Sequence, residues 1–288
     1  DFGMAPAMWL ASKLFGGVLV MKVNHNPQDC SASRKFGAVR RVYAWTAERI
    51  GVRFVKHFFT LNESMRAYLV SLGASKENVH IYTVNTIERD IEHIEKVKAG
   101  SIRKEYGISD DKKMLLTVAR LEDEKNYPLL IDMFAKLPEQ YVLLCLGEGS
   151  LMPALKEQSK TLGIDERIIF VGNVERDKIW NYYKDADAFV LLSKAEALGI
   201  VFWEAMYMHV PTIGSDIEGI IESLGKNGER GKIWREVDGE EGFKELVSFC
   251  ATESDERDKM VSNARKFVDK QLENRDTIND FLHYLENK

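Results

Sequence analysis

Two glutamates, Glu196 and Glu204, are separated by seven residues in a segment that follows a predicted strand and enters a predicted helix. In open α/β sheets, ligands bind just beyond the carboxyl ends of the strands. A helix that begins there offers unpaired backbone N–H groups and a positive dipole end to an anion such as a diphosphate. Gly199, between the two glutamates, lets the backbone approach a ligand closely. The two carboxylates can therefore face one pocket and serve different groups of one ligand.

Two cations, Arg120 and Lys125, follow another predicted strand at residues 113–118. Charge-assisted hydrogen bonds from such side chains suit a phosphate, although both residues could also be ordinary surface charges. Gly147 and Gly149 end the next predicted strand and Gly172 ends the one after it. A G-x-G pair alone is weak support for nucleotide binding, since glycines are common where strands turn, so we interpret it mainly as a turn.

The spacing of these residues resembles that of the large retaining family 4 glycosyltransferases, the glycosyl transferases group 1, which have the GT-B fold. Glu196 and Glu204 match the E-x7-E motif of the family. Four further segments resemble family motifs in the right order, and they are residues 117–125, 144–149, 170–174 and 210–216. Weaker matches lie at residues 21–26, 62–64 and 84–88. The resemblance thus extends over most of the chain and is most specific in its second half.

The resemblance implies a reaction in which a sugar moves from a nucleotide-diphosphate sugar to a hydroxyl acceptor, such as a glycan or a lipid-linked saccharide. Glu196 would lie beside the donor sugar, and Arg120 and Lys125 would hold the diphosphate. His25 would lie near the acceptor, where a neutral imidazole can relay a proton; as a residue type alone, it could equally be a surface histidine. The resemblance also assigns donor contacts to Glu204 (the ribose hydroxyls), Leu198, Gly199, Ile200, Gly147, Gly172, Asn173 and Val174.

Short apolar strands alternate with helical patterns in two segments of the chain, which predicts an α/β fold with two doubly wound parallel sheets. We expect a Rossmann-like domain at residues 1–103, a second one that binds the nucleotide sugar at residues 104–264, and a C-terminal helix at residues 265–288 that packs back on the first. Compared with the family, the first domain lacks its front part, so the sequence predicts an N-terminal truncation of roughly 70–80 residues. Such a fragment could be inactive.

Departures from the family pattern keep other functions open. Ala197 and Leu198 replace the usual Gly-Phe, and His209 stands where a glycine is common. A non-catalytic relative that acts as a partner or scaffold would fit these departures. A sugar-nucleotide epimerase of the same fold is another alternative, and incubation with the donor alone would distinguish it.

No metal or other cofactor is expected. Asp185 and Asp187 resemble a metal-binding pair, but they precede their strand and so lie at the sheet end away from the ligand crevice, where structural caps are the better interpretation.

Charge and composition narrow the possible partners and location. The stretch from Arg34 to Lys56 contains seven cations and one glutamate, a local charge of 7 − 1 = +6 in a chain of net charge −5. It is either a solvated helix face or a peripheral contact with anionic lipid. A basic surface of the extent that nucleic acid needs is not predicted. Three widely spaced cysteines suit a reducing cytoplasm, and no apolar run reaches the ~18–20 residues of a membrane span.

Overall fold

The computed structural model describes residues 4–15, 18–23, 46–82 and 87–273. The chain divides into two compact units, one built on its first 84 residues and one on Asn85–Glu273. Each unit contains a parallel sheet flanked by helices, so the fold is α/β with two Rossmann-like regions. Within the described residues, no helix is long and apolar enough to cross a bilayer.

The first unit contains a sheet of three described strands in the order β1-β2-β3, all parallel. Its elements are α1 (Ala5–Phe15), β1 (Val20–Val23), α2 (residues 46–51), β2 (His57–Thr60), α3 (Glu63–Ser71) and β3 (Val79–Ile81). Asn62 begins α3 because its side-chain oxygen accepts a hydrogen bond from the backbone N–H of Met65 at 2.8 Å. Phe58 and Leu69 are buried between sheet and helix.

The second unit contains a sheet of six described strands in the order β6-β5-β4-β7-β8-β9, again with parallel pairs throughout. Its strands are β4 (Lys113–Val118), β5 (Tyr141–Leu146), β6 (Ile168–Gly172), β7 (Ala188–Leu191), β8 (Thr212–Ser215) and β9 (Lys232–Trp234). Its helices are α4 (Ile91–Ile94), α5 (Ser101–Glu105), α6 (Tyr127–Ala135), α7 (Met152–Thr161), α8 (Ile179–Asp185), α9 (Ile200–Tyr207), α10 (Glu218–Leu224), α11 (Gly239–Ala251) and α12 (Asp255–Glu273).

The central strands β4, β5 and β7 are apolar on both faces because helices cover both sides of the sheet. In β4 the residues Met114, Leu115 and Leu116 are all fully buried, and β7 is buried along its whole length. This continuous burial explains why the strand sequences are apolar runs and do not alternate with polar residues. The resulting core fixes the positions of the loops that leave the carboxyl ends of the strands.

Two boundaries differ from the expectation. The predicted boundary between residues 103 and 104 falls inside α5, whose backbone is bound by Asp185 of the second unit, so residues 87–103 pack with that unit. Helix α12 includes residues 265–273, and these pack on α9: Phe267 meets Trp203 edge to face, with the ring centroids 5.7 Å apart. The remainder of the predicted C-terminal helix, residues 274–288, lies outside the described residues.

Candidate functional site

The six-stranded sheet reverses its strand order between β4 and β7, which are hydrogen-bonded neighbours although two strands separate them in sequence. Chain connections leave these two strands toward opposite sides of the sheet, and the loops diverge at their carboxyl ends. Ligands of open α/β sheets bind at such a point. The loop after β4 carries Arg120 and Lys125, and the loop after β7 carries Glu196 and Gly199. The structure therefore brings two distant segments to one crevice of the sheet.

Lys125 and Glu196 join these two loops directly. The Nζ atom of Lys125 lies 2.6 Å from an Oε atom of Glu196, and each side chain is only about 15% exposed (15% and 16%). The backbone N–H of Lys194 donates to the carbonyl oxygen of Glu124 at 2.8 Å, and the Lys194 ammonium lies 2.8 Å from Asp123. The loops after β4 and β7 are thus joined to each other, and the ion pair of Lys125 and Glu196 lies between them.

Arg120 lies on the loop after β4 but is not paired with Glu196. Its guanidinium is 2.6 Å from Glu124, and the arginine side chain is 72% exposed. An exposed ion pair of this kind contributes little to stability, so the side chain can exchange Glu124 for another anion at small cost.

Glycines allow the strand ends to pack closely around this crevice. A Cβ on Gly147 would lie 2.1 Å from the carbonyl oxygen of Ala119, and one on Gly149 would lie 2.4 Å from that of Leu121. The N–H of Gly147 donates to the carbonyl oxygen of Gly172 at 2.7 Å. The loops after β4, β5 and β6 are therefore in backbone contact. Gly147 follows the last residue of β5 with a positive φ of 128°, and Asn173 and Val174 follow Gly172 at the same edge.

Helix α9 begins at Gly199, which has a positive φ of 65°. Residues of α10 hold the preceding loop in place: a Cβ on Gly219 would lie 2.1 Å from the carbonyl oxygen of Glu196, and the hydroxyl of Ser223 donates to the carbonyl of Leu198 at 3.0 Å. The indole N–H of Trp203 in turn donates to Ser223 at 2.9 Å. Contacts with α10 thus position the loop before α9 and the start of that helix, which include Glu196, Leu198, Gly199 and Ile200.

Glu204 is buried at 2% exposure, one turn into α9, and both of its oxygens are bound. Arg176 lies 2.5 Å from Oε1 and the hydroxyl of Tyr183 donates to Oε2 at 2.9 Å. Arg176 also lies 2.6 Å from Asp90. Burial raises the pKa of Glu204, and the neighbouring Arg176 opposes that rise. The carboxylate is held in a charged network and is not a solvated surface acid.

Sequence analysis did not identify Arg176, Tyr183 and Asp90 as site residues, because their separations from Glu204 along the chain match no motif. One signal was available: Arg176 lies in the loop after β6, at the ligand-binding edge of the sheet. His25 and residues 34–45 of the basic stretch lie outside the described residues. The structure therefore leaves the predicted roles of both without a test.

Asp185 caps the start of α5, as predicted, whereas Asp187 binds a backbone N–H of β4 and an arginine. Asp185 accepts hydrogen bonds from the backbone N–H groups of Gly100, Ile102 and Arg103 at 2.5, 2.8 and 3.2 Å. Asp187 lies against the guanidinium of Arg103 and accepts from the N–H of Met114. Among the described residues, no group of three or more His, Cys, Asp or Glu side chains is arranged to hold a metal ion.

Comparison with known proteins places the chain in a family. The sequence model of Glycosyl transferases group 1 matches residues 99–267, more than half of the chain. An uncharacterized glycosyltransferase of Methanocaldococcus jannaschii is 31% identical over 170 residues, which are 58% of this chain and 43% of that protein. The N-acetyl-alpha-D-glucosaminyl L-malate synthase of Bacillus anthracis is 31% identical over 46% of this chain and 34% of its own. The chain thus spans less than half the length of these relatives.

Solved structures agree on the fold. Anabaena HepE in complex with UDP and glucose superposes with a TM-score of 0.73 at 18% identity, over 94% of this chain and 72% of that one. Sucrose-phosphate synthase from Thermosynechococcus elongatus superposes with a TM-score of 0.79 at 16% identity, over 98% and 71%. These neighbours and the two Rossmann-like regions identify the GT-B fold. The chain belongs to the glycosyl transferases group 1 family.

Proposed function

We propose that the chain is the donor-binding part of a retaining family 4 glycosyltransferase. The enzyme transfers a sugar from a nucleotide-diphosphate sugar to a hydroxyl acceptor, a glycan or a lipid-linked saccharide. The observation that carries this proposal is the ion pair of Lys125 and Glu196 in the crevice between β4 and β7, beside the first turn of α9. A cation and a carboxylate in that place suit a ligand that is anionic at one end and rich in hydroxyl groups at the other.

In this proposal Lys125 and Arg120 hold the donor diphosphate. Both now contact carboxylates of the protein, Glu196 and Glu124, and the incoming phosphates replace those contacts. The first backbone N–H groups of α9 add a positive dipole end. These groups stabilise the negative charge that develops on the departing nucleoside diphosphate, and the protein needs no bound cation for this.

The carboxylates serve the other end of the donor. Glu196, released from Lys125, lies beside the sugar, and Glu204 accepts hydrogen bonds from the ribose hydroxyls. Backbone atoms of Leu198, Gly199 and Ile200 meet the sugar and phosphates, and residues 172–174, with Gly147 behind them, border the base. The family resemblance assigns His25 to the acceptor side, and we propose that the basic stretch from Arg34 to Lys56 contacts anionic lipid when the acceptor is membrane-bound.

Thermal-shift measurements with UDP, GDP and ADP sugars test donor binding. UDP is the first choice because the Anabaena neighbour was solved with UDP and glucose. A ligand at 100 times its Kd stabilises the protein by about 2.7 kcal/mol, a readily measured shift. Lys125→Met should lower the affinity roughly 10- to 100-fold, because a hydrogen bond to a charged group contributes about 1.5–3 kcal/mol.

Lys136→Met is the matched control, since Lys136 is also a lysine of the second unit with a carboxylate partner, Glu240 at 3.2 Å, but lies at the end of α6. It should leave nucleotide affinity unchanged. Equal affinities in both variants would contradict the assignment of Lys125. Absence of binding by any of the nucleotides would favour the non-catalytic relative, and conversion of donor alone into an epimer would favour the epimerase.

A further inference from the structure

We propose that Arg176, anchored by Asp90, is a positioning residue that holds Glu204 as an oriented carboxylate for the ribose hydroxyls of the donor. This inference rests on the proposed function, in which Glu204 binds the ribose. No motif of the sequence includes Arg176 or Asp90, and their role follows from their contacts.

A carboxylate buried to the extent of Glu204 requires compensation. Its side chain is 3% exposed, and transfer of an unpaired charge into such surroundings costs far more than transfer of the neutral acid. Without a cationic partner the group would take up a proton. A protonated carboxyl offers a donor where the ribose hydroxyls need an acceptor.

Arg176 supplies that partner in a fixed geometry. One terminal nitrogen lies 2.5 Å from Glu204, and Nε lies 2.6 Å from Asp90. The guanidinium also lies over the indole of Trp180, 4.9 Å from the ring centroid. A planar guanidinium with contacts on its edge and on its face has little rotational freedom, so the position of Glu204 is also restricted.

The hydrogen-bond inventory of Glu204 leaves room for a diol. An ionised carboxylate has about four acceptor sites, two on each oxygen. Arg176 uses one on Oε1 and Tyr183 uses one on Oε2. Counting the described residues, one site remains on each oxygen, which matches the two hydroxyl donors of a ribose. A protonated Glu204 would lose this match.

The charged and titratable groups that act on Glu204 come from three segments: Arg176 from the loop after β6, Tyr183 from α8 and Asp90 from the turn before α4. Asp90 opposes the carboxylate form of Glu204, and Arg176 favours it. Helix α12 also packs on α9, but its Arg265 is bound to Asp269, the carbonyl of Tyr207 and His209. Arg176 is thus the cation that faces Glu204 among the described residues.

The first experiment measures the ionisation of Glu204 without any ligand. The unfolding free energy is followed against pH for wild type, Glu204→Gln, Arg176→Met and the Arg176→Met/Glu204→Gln double variant. A buried acid with a raised pKa stabilises the fold at low pH and loses that contribution as pH rises through its folded pKa. In each background, the difference between the protein that keeps Glu204 and the one that carries Glu204→Gln isolates this titration. Its midpoint should lie about one pH unit or more higher in the Arg176→Met background.

The second experiment measures nucleotide affinity against pH for wild type, Arg176→Met and Arg176→Lys. In Arg176→Met the affinity should fall about tenfold per pH unit below the raised midpoint and recover as pH increases. Arg176→Lys should restore much of the wild-type pH profile because it keeps the charge. Arg167→Met is the control: Arg167 is also partly buried, but it donates to the carbonyls of Leu137 and Pro138. It should leave the profile unchanged.

The unfolding and affinity experiments together distinguish failure of the proposed function from failure of the inference about Arg176. If wild type binds none of the nucleotides, the proposed function fails, and the unfolding experiment still decides whether Arg176 keeps Glu204 charged. Equal midpoints in both backgrounds would overturn the inference. So would a loss of affinity in Arg176→Met that is the same at every pH, since that result would show only a structural role.

Discussion

A methyl group added at Gly147 tests whether the strand ends must be in backbone contact to form the site. In Gly147→Ala the new Cβ would lie 2.1 Å from the carbonyl oxygen of Ala119, a distance that requires the loops after β4 and β5 to separate by about 1 Å. The φ of Gly147 is +128°, a conformation that costs a residue other than glycine about 1–3 kcal/mol.

Separation of the loops weakens two hydrogen bonds. Ala119 N–H donates to the carbonyl of Leu146 at 3.1 Å, and Gly147 N–H donates to that of Gly172 at 2.7 Å. Each contributes about 0.5–1.5 kcal/mol. Together with the backbone cost, the loss of both hydrogen bonds should lower the unfolding free energy of the second unit by about 2–6 kcal/mol in Gly147→Ala and weaken nucleotide binding.

Gly163→Ala is the matched control because Gly163 also has a positive φ, +69°, but no atom lies within 4 Å of its added Cβ. Its cost should be about 0.5–1 kcal/mol, the left-handed penalty less the gain from a stiffer unfolded chain. Urea unfolding is followed by tryptophan fluorescence, since Trp180, Trp203 and Trp234 all belong to the second unit. Equal losses in the two variants would refute the close-contact explanation.

Two further predictions concern the cap and the strained backbone of the second unit. Asp185→Ala should lower the unfolding free energy by about 2–4 kcal/mol, because three backbone N–H groups lose their acceptor. The control is Asp165→Ala: Asp165 is exposed, so this change should alter the unfolding free energy by less than about 0.5 kcal/mol. Urea titration measures both variants. His209 has a φ of +61°, and burial, then Arg265 and Lys184, lower its pKa below 6.5. Its contribution to stability is therefore complete above pH 6.5 and lost as pH falls through the lowered folded pKa. His209→Gly should therefore reduce the loss of stability that occurs as pH falls below 6.5, and an unchanged pH slope would contradict this.

The strands of the second unit could be predicted from the sequence because they are buried on both faces and read as short apolar runs. The strand predicted at residues 113–118 has the bounds observed for β4, Lys113–Val118. Helix α10, strand β9 and helix α11 were missed. Strand β9 has only three residues, and the preceding loop contains Gly225, Gly228 and Gly231. The hydrophobic pattern there is therefore too short to predict a strand.

The structure explains why His209, which stands where the family commonly has glycine, is an unusual residue at its position. The position has the left-handed backbone that glycine adopts at no steric cost, which explains why a glycine is common there in the family pattern and why histidine is tolerated only with strain. Sequence alone showed the substitution but not the conformation.

The site was predictable only in part. Glu196 and Lys125 could be placed together because each follows a strand at the same edge of a parallel sheet, and the structure joins them. Arg120 was expected with them, yet its partner is the nearby Glu124, since an exposed arginine binds the closest carboxylate. The partners of Glu204 depend on how α8 and the segment at Asp90 pack, which is tertiary information that local spacing does not contain.

The proposed function depends on binding of a nucleotide-diphosphate sugar in the crevice between β4 and β7. A crystal structure of the chain with the nucleoside diphosphate that gives the largest thermal shift tests this most directly. We expect the phosphates at Arg120, Lys125 and the first turn of α9, with the ribose on Glu204. A well-ordered nucleotide at any other position of the chain would contradict the proposal.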